Sequence, residues 1–64
     1  MRETPLDAVR IYGQGVIWPA DKETVVQIIQ RNGAPEDVVR AIRNGEKHRY
    51  VAPSDITRLL LKVA

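Results

Sequence analysis

Cysteine is absent from the 64-residue chain, which excludes disulfides, thiol nucleophiles, iron–sulfur clusters and the usual thiolate zinc cages. Histidine occurs once, as His48, and a single imidazole cannot build a histidine-rich metal site. The one serine, Ser54, follows Pro53 at a predicted helix start and has no base in view. No apolar run approaches the roughly 20 residues needed to span a bilayer. The opening Met-Arg-Glu-Thr-Pro lacks the apolar core of a secretory leader. From these absences we expect a cytoplasmic protein with no membrane partner, no metal, no cofactor and no small-molecule substrate.

What is present is a single small domain over residues 1–64, with residues 1–3 expected to be disordered. A chain this short hides only about 60% of its unfolded surface, so good packing or pairing of chains must stabilise it. The formal charge is +2, and its placement says more than its size. Asp21 and Glu23 open one predicted helix, Glu36 and Asp37 the next, and Asp55 the last. Arg31, Arg43 and Lys62 lie near the corresponding ends, the distribution that helix dipoles favour on any helical protein.

The stretch Arg31–Val39, R-N-G-A-P-E-D-V-V, organises the chain. Asn32-Gly33 stops a helix, because glycine enters the left-handed conformation without a Cβ penalty. Pro35 starts the next as its first residue, since its fixed φ suits that position and its missing N–H has no partner there. Two helices joined so tightly fold back as an αα-hairpin. The expected fold is therefore all-α, a bundle of about four short helices centred on that hairpin.

The first segment, Thr4–Tyr12, reads as a short helix capped by Thr4, with Pro5 at its first position and Leu6 and Val9 on one side. A hairpin of Val9–Tyr12 with Val16–Trp18 through Gly13-Gln14-Gly15 competes; the helix, ending at Gly13, is preferred. Gly15–Pro19 is extended, and Trp18 reads as a lid over the core rather than a ligand-stacking ring. The second helix, Lys22–Asn32 with Asp21 as cap, should bury Val25, Ile28 and Ile29, with Val26 on its margin. Ala34 should touch Ile29, as a Schellman stop at Gly33 requires. The third helix, Pro35–Asn44, should bury Val38, Ala41 and Ile42, with Val39 at the edge, before Asn44-Gly45 repeats the stop. Glu46–Ala52 reads as a polar connector anchored by the ring of Tyr50. The last helix, Pro53–Val63, should pack Ile56, Leu59, Leu60 and Val63, leaving Leu61 off the stripe. Proline, any residue, aspartate, two more and arginine recur at Pro5, Pro35 and Pro53. Unequal spacing makes this a repeated helix-start signal, with arginine pairing to aspartate at i, i+3, rather than a solenoid repeat.

Gly15–Lys22 (G-V-I-W-P-A-D-K), Asn32–Val38 (N-G-A-P-E-D-V), Tyr50 and Pro53–Ile56 (P-S-D-I) together resemble a family of short bacterial proteins catalogued as domain of unknown function 2795. The resemblance runs from about Thr4 to Leu60. The chain departs from the family pattern at Gln14, a one-residue insertion, at Ala52, where the family tends to place a capping serine, and at Lys47-His48-Arg49, where the family is more acidic. The resemblance implies a small all-helical domain and supplies no catalytic or binding residues.

Catalysis is not expected. The acids cap helices, Gly13-Gln14-Gly15 is too short for a phosphate loop, and so small a domain has little room for a pocket of about 300 Å³. The hairpin superficially resembles a helix-turn-helix, but Glu36 and Asp37 would meet phosphates at the reading end. Ile29 also stands where a small residue usually lets such helices cross. Two surfaces remain. Val26, Val39 and Leu61, at or beyond the buried stripes, are candidates for contact with a protein partner or a homodimer. Arg40, Arg43, Lys47, His48 and Arg49 are candidates for non-specific nucleic-acid contact. We expect a non-catalytic interaction or regulatory module, with nucleic-acid binding as the alternative.

Overall fold

The turn at residues 32–35 sets the architecture. The computed structural model describes residues 3–63, and in it helix α2 (Lys22–Arg31) is followed at once by α3 (Glu36–Arg43). Gly33 has φ +85°. The Ala34 N–H donates to the Ile29 carbonyl at 2.9 Å and the Gly33 N–H to that of Gln30 at 3.0 Å. Those two bonds are the complete Schellman pattern expected of an Asn-Gly stop. Pro35 lies one place earlier than expected: it is the N-cap of α3 rather than its first residue. Its φ of −62° with an extended ψ lets its carbonyl accept from the Val38 and Val39 N–H groups.

Helix α1 (Pro5–Tyr12) forms as the capping signal indicates, and the competing hairpin is not formed. The Thr4 hydroxyl accepts from the Asp7 N–H at 3.2 Å, satisfying one of the orphan donors of the first turn. Helix α4 spans Pro53–Val63. Helix α3 packs against both α2 and α4, and α1 closes against α4. The expected disorder of residues 1–3 falls, for Met1 and Arg2, outside the described residues. Glu3 is described, and the Tyr12 hydroxyl donates to its Oε1.

The fold is α-rich rather than all-α. Within the expected polar connector, β2 (Arg49–Tyr50) pairs antiparallel with β1 (Ala20–Asp21), Ala20 opposite Tyr50 and Asp21 opposite Arg49. Two-residue strands are too short for the alternation that reveals a strand in sequence, and their partners lie far apart along the chain. The preceding Trp18–Pro19 peptide is cis, and Trp18 is half-buried against the core as a lid.

Tyr50, Ile42, Leu60, Val25 and Val39 are the largest fully buried side chains. Burying each aliphatic one stabilises the fold by about 1.5–3 kcal/mol over leaving it in water. Three expectations about the stripes need correction. Val26 is 5% exposed and Val39 1% exposed, so both belong to the core. Each helix has cover on two flanks, α2 from α3 and the ribbon, α3 from α2 and α4. That rotates the buried arc toward Val26 and Val39 and leaves Ile28 and Ala41 half-buried. Val63 is exposed, although Leu60 in the same last turn of α4 is fully buried.

Candidate functional site

The polar residues of the motifs are engaged in closing helix ends. Lys22 Nζ donates to the Arg43 carbonyl at 3.3 Å and to the Gly45 carbonyl. An ammonium there meets both the orphan acceptors and the negative dipole end of α3. The backbone N–H of Lys22 donates to the His48 carbonyl at 2.9 Å, so one residue ties the ribbon to the end of α3. Asn32 Nδ2 donates to the Tyr12 carbonyl at 2.7 Å and to that of Gln14 at 2.9 Å, closing the end of α1 in the same way. Sequence reasoning used Asn32 only as a backbone stop and gave Lys22 no role beyond opening α2. Neither partner is near in sequence, so no local signal could have found them.

Tyr50 and Asp55 complete the set. The Tyr50 ring is buried and its hydroxyl donates to the Ile42 carbonyl at a weak 3.4 Å. Burial pushes its ionisation above the usual tyrosine value, and the charge of Asp55 adds to this. Asp55, in the first turn of α4, accepts from the Val51 N–H at 2.8 Å and pairs with Lys47 at 3.7 Å. The Val51 hydrogen bond, with help from Lys47, holds its carboxyl below the ordinary aspartate range although burial opposes this. Ala52 cannot cap α4 with a side chain, and this carboxylate reaching back does half the work of a capping box.

The structure brings Arg43 and His48 to one groove and sets the other basic candidates beside different partners. Arg40 pairs with Glu36 at 3.9 Å beside the groove between α1, α3 and α4. Arg43 and His48 share a polar surface groove with Asp21 and Glu23. Lys47 faces Asp55, and Arg49 stands opposite Asp21 in the ribbon. The expected arginine–aspartate pairing of the helix starts is seen at α1, between Arg10 and Asp7 at 3.7 Å. In α3 Arg40 pairs with Glu36 at i, i+4.

Of the apolar candidates, Val26 and Val39 are in the core and Leu61 is 61% exposed. Among the described residues, Leu6, Ile11, Ile17, Val51 and Val63 are the other exposed large apolar residues. Two open grooves run beside α4. One of about 590 Å³ is lined by Pro5, Ala41, Leu59 and Val63 with Arg40 at its rim. The other, about 350 Å³, has Leu59 and Val63 beside Lys47, Arg58 and Lys62. The void inside the core measures about 10 Å³, room for no more than a water. Among the described residues no three acidic, histidine or cysteine side chains stand together as metal ligands. None of the described helices is long and apolar enough to cross a membrane.

No curated protein and no solved structure matches this chain. A family match covers residues 14–57, from the glutamine before the Gly15 motif to the first turns of α4. It is narrower than the Thr4–Leu60 resemblance and leaves α1 and the end of α4 outside. It still takes in more than half of the chain and every motif residue that closes a helix end, so the chain belongs to the family described as Protein of unknown function (DUF2795).

Proposed function

We propose that this protein is a non-catalytic module that works by contact with protein, another chain or its own, through the apolar surface of α1 and α4. The observation that carries the reading is a division of labour. Lys22, Asn32, Tyr50 and Asp55 are engaged in holding the fold, while Leu6, Ile11, Leu61 and Val63 face water on two adjoining helices. Exposed apolar side chains of this size support an interface. Nucleic-acid contact through Arg40, Arg43, Lys47, His48 and Arg49 is the weaker reading. Arg40 and Lys47 each pair with a carboxylate, and Arg43 and His48 share their groove with Asp21 and Glu23, which a phosphate backbone disfavours.

The test is co-purification from the cell of origin with a tagged chain. Wild type should bring down a protein, whether a different one or an untagged copy, and Leu61→Glu should not. Retention of the same protein by Leu61→Glu would refute the surface. Binding of random duplex DNA at low salt that is lost in Arg43→Glu with Arg49→Glu would instead establish the alternative.

A further inference from the structure

We draw no further inference here: the strongest candidate, the open groove between α4 and the ribbon where Lys47, Arg58 and Lys62 stand beside Leu59 and Val63, carries nothing, because Glu46 and Asp55 share that groove, Lys47 and Arg58 already act on Asp55, and nothing in the structure shows what covers it.

Discussion

Gly33→Ala isolates the backbone requirement of the turn between α2 and α3. Gly33 has φ +85°, and a Cβ built there meets nothing within 4 Å. The substitution therefore introduces no clash and breaks no packing; its whole effect is conformational. Holding an L-residue in the left-handed region costs about 1–2 kcal/mol. Alanine also restricts the unfolded chain, which returns about 0.4–1 kcal/mol. The net loss should be about 1 kcal/mol, or a fall in Tm of about 4–8 °C for a domain of this size. The chain is short enough for chemical synthesis, which allows D-alanine at the same position. D-alanine keeps the entropic gain and favours positive φ, so it should raise Tm by a few degrees. Thermal unfolding followed by circular dichroism on the two synthetic variants and wild type gives the comparison. If L-alanine leaves Tm unchanged, or both enantiomers lower it alike, the left-handed stop is not what closes α2.

Other perturbations address packing and charge. Gly45 does not have a positive φ, yet a Cβ there would stand 3.0 Å from Leu59 Cδ2 and 3.1 Å from the Tyr50 hydroxyl. Gly45→Ala should thus destabilise by about 1–3 kcal/mol through overpacking, and denaturant unfolding of this variant should show it. Val39→Ala should cost about 2 kcal/mol in the same measurement, against about 0.5 kcal/mol or less for Leu61→Ala. Equal losses would return Val39 to the surface. Asp55 has a lowered folded pKa, so its stabilising contribution is complete above the unfolded value of about 3.9 and disappears as pH falls through the folded value. Asp55→Asn should be less stable at neutral pH and should lose less Tm than wild type on acidification below about pH 4. Parallel acid limbs for the two proteins would remove Asp55 from the account. Tyr50 has the opposite sense: its raised pKa makes the stabilisation complete below about pH 10 and lost above the folded value. Tyr50→Phe should flatten the alkaline limb of the Tm profile.

Residues acting within one turn of themselves were readable without coordinates. Thr4-Pro5 starts α1, Asn32-Gly33 stops α2, and Pro53 opens α4, because these signals depend on backbone groups only a few residues away; Asp21 holds the N-cap position of α2 without a side-chain cap bond. The burial of Tyr50 and the exposure of Leu61 were readable too, since one follows from an aromatic ring in a polar loop and the other from helical periodicity. Everything that joins distant segments was decided by tertiary structure. Lys22 reaches α3, Asn32 reaches α1, and Ala20 pairs with Tyr50, contacts with no local signature. The buried arcs of α2 and α3 turned toward Val26 and Val39 because periodicity gives the width of an apolar stripe but not the number of neighbours that cover it. Arg40, Arg43, Lys47, His48 and Arg49 are neighbours in sequence, yet of these five only Arg43 and His48 line one groove, because a helix end and a ribbon send neighbouring residues to different faces.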